Sequence, residues 1–171
     1  MQIYLNTTTG KYYQYEDDVA VNLSAGAWST PSGARGTCPT TLTPYTGPWP
    51  IPPTLAEVQT AQIALLRSAC QSAITGGFTS SALGSAYSYP SDPLSQANMN
   101  TIAGSPSGGS LWCESGGVWT LKAHTQAQAQ AVLAAFVAWL NACQSQLATL
   151  TAEVNAATTV SGVQAIIWVN P

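Results

Sequence analysis

The sequence predicts an α+β fold that is mainly α. It reads as an antiparallel pair of long helices with a short helix and two β-hairpins inserted between them, preceded by an N-terminal β-hairpin and a proline-rich extended linker. Three observations predict it. Apolar residues recur at three- and four-residue spacing over 55–74 and again over 125–157. Both segments open with a side-chain pair that can close a capping box, Thr54 with Glu57 and Thr125 with Gln128. Between them lie two stretches of alternating aromatic and small or polar residues, broken by glycines. The organisation expected is therefore an N-terminal hairpin segment over 1–28, a Pro/Gly/Thr-rich linker over 29–53, and a helical domain carrying two hairpins over 54–171.

Each element has its own warrant. Ile3-Tyr4-Leu5 and Tyr12-Tyr13-Gln14-Tyr15 are aromatic and branched runs around turn-forming residues Asn6 to Gly10, which is hairpin composition. Glu16-Asp17-Asp18 is the chain's one charge cluster and reads as a solvated turn, because no further carboxylates follow at the offsets a calcium loop needs. Residues 29–53 hold seven of the eleven prolines and no periodic pattern, and Trp49-Pro50-Ile51-Pro52-Pro53 has polyproline II character. In the first helix Leu55, Val58, Leu66, Cys70 and Ile74 form an apolar stripe that Ile63 and Leu65 widen, and Gly76-Gly77 stops it. A compact hairpin with Gly84 at its centre follows. Asp92 and Pro93 then supply an N-cap and a first-turn proline for a short helix over 94–103. Residues 111–114 and 118–121 flank Ser115-Gly116-Gly117 as the clearest hairpin in the chain. In the last helix Ala129, Val132, Phe136, Trp139, Leu140, Cys143, Leu147, Leu150 and Val154 step by three or four throughout. At about 1.5 Å per residue that helix is roughly 50 Å long, more than a small domain spans. Its C-terminal half is therefore expected to pair back on the first helix, the alternative being a second chain.

Gly77-Phe78-Thr79-Ser80-Ser81-Ala82-Leu83-Gly84, an aromatic at Tyr87, and Tyr89-Pro90-Ser91-Asp92-Pro93 followed by Gln96-Ala97-Asn98 form a recognisable series. Together with Ala156-Ala157-Thr158-Thr159 and Val163-Gln164-Ala165-Ile166-Ile167-Trp168, it resembles a domain at the C-terminal end of tail-fibre and fibre-assembly proteins of tailed bacteriophages. The resemblance covers roughly residues 54–171. It implies a phage or prophage setting and the layout helix, hairpin, short helix, Trp-bearing hairpin, long helix; that domain has no settled function, so it implies no mechanism. The opening hairpin is similar to the start of some fibre-assembly proteins.

Composition excludes several classes. Charged residues make up 6% of the chain, against about 25% in an ordinary globular protein. With 46% hydrophobic residues it can still build a core. Its polar surface must then be Thr, Ser, Gln and Asn, and a surface without charge repulsion favours self-association or burial against other subunits. Lys11, Arg35, Arg67 and Lys122 are too scattered to follow a phosphate backbone, so no nucleic-acid partner is expected. The longest apolar run, residues 131–140, is about half a membrane span, and the N-terminus has neither a basic start nor an apolar stretch of signal-peptide type. Neither membrane insertion nor export is expected, and synthesis in a host cytoplasm is. Cys38, Cys70, Cys113 and Cys143 lack paired spacing and have one histidine between them to share, which reads as four free thiols with no metal and no cofactor.

No catalytic residue is expected. His124 and Cys113 could form a nucleophilic pair only across the second hairpin, with no evident orienting group. No phosphate-binding, dinucleotide-binding or nucleophile-elbow motif is present. Phe78, Tyr87 and Tyr89 on the first hairpin and Trp112 and Trp119 on the second are the candidate partner-binding residues, with about half of each hairpin expected to point inward. The function these readings imply is a non-enzymatic structural or interaction protein of a phage tail. It would be a fibre or tip subunit, or a fibre-assembly chaperone, either transient or remaining on the virion, with other tail proteins or a second copy as partner. A carbohydrate-binding tip module using the same aromatics is the alternative.

Overall fold

The structure is a computed structural model and describes residues 1–171. The chain is α+β, with four helices and three small antiparallel sheets, in two compact units, Met1–Pro52 and Pro53–Pro171.

The first unit is entirely β. Strands β1 (Gln2–Asn6) and β2 (Tyr12–Tyr15) form the expected hairpin, and β6 (Leu42–Pro44) pairs with the other side of β1. Strands β3 (Ala20–Asn22), β4 (Ala27–Ser29) and β5 (Arg35–Thr37) form a second three-stranded meander. Buried Asn6 holds the first turn, its Oδ1 accepting from the Thr8 and Thr9 amides and the Thr41 hydroxyl at 3.0–3.1 Å. Val19, Cys38 and Leu42 are buried, and Tyr15 stands between Tyr4 and Trp28 with ring centroids 5.9 and 6.4 Å away. The proline-rich stretch is thus not an extended linker over its whole length, since three strands lie within Ala27–Pro44. Three-residue strands are too short to display a two-residue period, and prolines at their ends mask them further. Residues 45–53 carry no regular element, and the Trp49–Pro50 peptide is cis. Glu16, Asp17 and Asp18 occupy an exposed turn, where the N-terminal ammonium pairs with Asp17.

The second unit holds all the helices: α1 (Leu55–Thr75), α2 (Pro93–Gly104), α3 (Gln126–Ala156) and α4 (Val160–Gln164). Both capping boxes form, Thr54 with Glu57 and Thr125 with Gln128. Asp92 accepts from the Leu94 and Ser95 amides at the start of α2, with Pro93 in its first turn. Gln59 Nε2 donates to the Val154 carbonyl (3.0 Å), Cys70 Sγ lies 3.6 Å from the Cys143 carbonyl, and Trp139 Nε1 donates to the Ala73 carbonyl (3.1 Å). Numbers rise along α1 as they fall along α3, so the two helices run antiparallel where they meet.

The length of α3 is explained by two cores rather than one. Its N-terminal part contributes Ala129, Val132 and Phe136 to a cluster with Phe78, Tyr89, Met99, Ala103, Leu111 and Cys113. Its C-terminal part contributes Leu150 and Val154 to a second cluster with Val58, Leu66 and Val163. By length and composition α3 could also cross a membrane, but one face of it is this core. Leu65 does not widen the buried face of α1 as its type suggested; it is 63% exposed. The turn α4 was not foreseen: five residues are too few for a period, and it rests on a Thr159 cap and the fully buried Val163.

Strands β7 (Phe78–Ser80) and β8 (Tyr87–Tyr89) make the first hairpin, and β9 (Gly109–Ser115) and β10 (Val118–His124) the second. They are not two separate insertions. Ser88 of β8 pairs with Glu114 of β9, giving one antiparallel sheet in the order β10-β9-β8-β7. Strands so far apart in sequence carry no local signal of mutual pairing.

Candidate functional site

Sheet register sorts the candidate aromatics. Phe78 opposes Tyr89, Ser80 opposes Tyr87, Cys113 opposes Thr120 and Leu111 opposes Lys122. Since successive side chains alternate across a strand, this set shares the face that α2 and α3 cover. Phe78 is 6% and Tyr89 1% exposed, so neither is available to a partner. Their rings stack with centroids 5.8 Å apart, and Phe78 also meets Phe136 at 5.4 Å. Tyr87, half-buried at the margin of the same face, has the Lys122 ammonium 5.2 Å above its ring.

The opposite face is open. Trp112 opposes Leu121, Trp119 opposes Glu114, and Ser88 and Thr79 continue the row. Trp112, Trp119 and Leu121 are 54, 50 and 55% exposed. A shallow depression of about 330 Å³ runs from Trp119 past Glu114, Ser88 and Thr79 to the Gly76-Gly77 turn. At the far side of Trp112 a narrow cleft of about 40 Å³ opens between the sheet and α2, lined by Ser95, Asn98, Met99 and Ser110 among others. Two of the five candidates are therefore displayed, and Leu121 joins them. Its signal was present in the sequence: it alternates with Trp119 and faces Trp112 across a two-residue Gly-Gly turn.

The buried polar groups of this region are structural. His124 Nδ1 lies 2.8 Å from the Lys122 carbonyl, which can only accept, so in the neutral ring Nδ1 carries the proton. Nε2 then accepts from the Tyr89 hydroxyl at 2.9 Å. Burial above all, with Cys113 and Tyr87 adding, pushes the Tyr89 hydroxyl up to about 12. Cys113 and His124 do not meet as a catalytic pair: Thr120, the cross-strand neighbour of Cys113, is four residues from His124, about 14 Å along β10. Burial pushes the Cys113 thiol up, against the opposing pull of Lys122. All four cysteines are buried and free, and no three His, Cys, Asp or Glu side chains are grouped to hold a metal ion.

The residues that carry the family resemblance also fall into place. Gly77, at φ +111°, donates its amide to Ser91 Oγ (2.8 Å), and the fully buried Ser91 hydroxyl donates to the Ile74 carbonyl (2.6 Å). One side chain thus ties the end of α1 to the approach to α2. Neighbouring Tyr89 holds His124, and Asp92 caps α2. This lock escaped sequence reasoning because a serine next to an N-cap reads as turn composition. The motif is accounted for by packing, and the displayed tryptophans lie outside it.

Neither a curated protein nor a solved structure matches the chain. A family model does, over residues 57–167, which take in the whole four-stranded sheet and every helix save the first two residues of α1. The chain belongs to the family described as the domain of unknown function DUF4376.

Proposed function

We propose that this protein is a non-enzymatic structural or interaction subunit of a phage tail, a fibre or tip component or a fibre-assembly chaperone retained on the virion. Its partner-binding surface is the open face of the four-stranded sheet. One observation carries the reading: Trp112, Trp119 and Leu121 stand half exposed on the free face of a sheet whose other face sends Phe78, Tyr89, Leu111 and Cys113 into the core. Tryptophan is enriched among the anchors that supply most of the energy of protein interfaces. The two seven-residue strands that carry them, in a sheet packed on two helices, are also a firm platform. Almost no charge surrounds it, so affinity would rest on apolar burial and neutral hydrogen bonds. The phage setting rests on the resemblance of the 77–98 and 156–168 segments to fibre proteins.

A second reading has its own observation. Trp112, half exposed, borders the narrow cleft that Ser95, Asn98 and Ser110 also line, and an aromatic ring beside neutral polar groups suits the face of a sugar ring. The two separate in one experiment. Trp112→Asp and Trp119→Asp, each checked for native circular dichroism, are introduced into the phage. The protein-contact reading expects particles that lack this subunit or fail to assemble. Complete particles that no longer adsorb to host cells favour the sugar reading, and particles normal in both respects overturn the first.

A further inference from the structure

The outer edge of β10 has no neighbour. β9 pairs along one side of the strand, and nothing pairs along the other. The hairpin turns through Gly116 and Gly117, with φ of +60° and +80°, directly between the paired residues Ser115 and Val118. In a two-residue turn of this kind the flanking pair exchanges both backbone hydrogen bonds, and such pairs alternate along the ladder. Val118, Thr120, Lys122 and His124 therefore direct their amides and carbonyls toward β9. Trp119, Leu121 and Ala123 direct theirs outward, three donors and three acceptors in a row. Natural sheets usually blunt such an edge with charge, proline or a bulge. Here the seven residues contain no proline, the pairing with β9 runs unbroken, and the one charge, Lys122, leans back over the Tyr87 ring.

We propose that a second copy of this chain pairs with the edge, β10 against β10, antiparallel about a two-fold axis at Leu121. This rests on the partner-binding reading above and names the partner. In this register Leu121 opposes Leu121 of the second copy, and Trp119 opposes its Ala123. All six outward groups of each copy are then satisfied, in six hydrogen bonds. Moving the centre to Trp119 leaves Ala123 unpaired, and moving it to Ala123 runs into the start of α3. The charges agree as well: Lys122 faces Thr120 of the other copy, and no like charges oppose. On the open face a row Trp112, Leu121, Leu121, Trp112 crosses the joint sheet at cross-strand contact distance. The strand is its own complement, and that favours a second copy over an unrelated segment.

The test uses the full chain with single cysteines added, the four natural thiols being buried. An antiparallel hydrogen-bonded pair sets Cα atoms about 5.5 Å apart, within reach of a disulfide. Leu121→Cys is therefore expected to give a covalent dimer on mild oxidation. Val118→Cys, whose two copies lie about 20 Å apart in this register, is expected to stay monomeric under denaturing conditions. Light scattering of the wild-type chain should show a dimer, and Leu121→Pro, which removes an outward amide without touching the β9 ladder, should shift it to monomer with native circular dichroism. A wild-type chain that stays monomeric at high micromolar concentration overturns the proposal. So does a dimer in which Val118→Cys crosslinks and Leu121→Cys does not. A monomer whose Trp119→Asp variant still loses particle assembly leaves the partner-binding reading standing and removes only self-pairing. A dimer with unaffected assembly does the reverse.

Discussion

At the scale of single residues, small polar side chains inside the second unit carry more of the fold than their number suggests. Ser91 serves two backbone groups at once, the Gly77 amide and the Ile74 carbonyl. Replacing it with alanine leaves both part-buried groups short of a partner. Ser91→Ala is expected to destabilise the chain by about 2–3 kcal/mol, read as a lowered midpoint in urea; an unchanged midpoint means that water reaches both groups. Tyr89 makes a pH prediction. Its hydroxyl ionises at about 12 in the folded chain and at about 10 when unfolded. Between those values the unfolded chain binds fewer protons than the folded one, so stability is complete below pH 10 and is lost as pH rises toward 12. Thermal melts from pH 8 to 11.5 should show this fall, and Tyr89→Phe should flatten part of it while lowering stability at pH 8. The second effect follows because His124 Nε2 loses its donor. Equal slopes in both proteins remove Tyr89 as the cause.

At the scale of elements, α3 is the shared wall of two clusters, and Trp139 sits near their junction. It is half-buried against the sheet-side cluster, and its indole N–H holds the Ala73 carbonyl near the C-terminal end of α1. Trp139→Ala removes both packing and that bond, with an expected loss of about 3 kcal/mol, the low end for a tryptophan truncation because the ring is only partly covered. Chemical denaturation measures it, and a loss below about 1 kcal/mol would mean the helix pair does not depend on this contact. The glycine turn at 116–117 and the capping boxes show local chemistry setting element ends, because each needs only residues within a few positions of one another.

At the scale of the whole molecule, the second unit carries all four helices and both apolar clusters of the helical region. A chain of residues 53–171 is expected to fold by itself, with a cooperative melt and a stronger helical signal per residue than the full chain, because only β structure and loops have been removed. A fragment that binds hydrophobic dyes and melts without a transition would show that the second unit needs the first. The sparse charge has its consequence at this scale too. With 6% charged residues there is little repulsion between copies, so a specific contact must come from shape and backbone pairing, which is what the open face and the β10 edge offer.

The sequence by itself determined whatever is written within a turn or two of chain. That covers the three N-caps of α1, α2 and α3, the stripe on α3 and the Gly-Gly hairpin. It also placed the aromatics on two hairpins, but it could not tell Phe78 and Tyr89, which are core, from Trp112 and Trp119, which are displayed. Only tertiary structure decided that, because the inward face of a strand is chosen by whichever helices cover it. The joining of the hairpins at Ser88 and Glu114, the Ser91 lock and the Tyr89–His124 bond likewise needed chain segments 14 to 35 residues apart to meet. Three-residue strands in the proline-rich region were hidden for a related reason: a strand that short is specified by its neighbours in the sheet, not by its own residues.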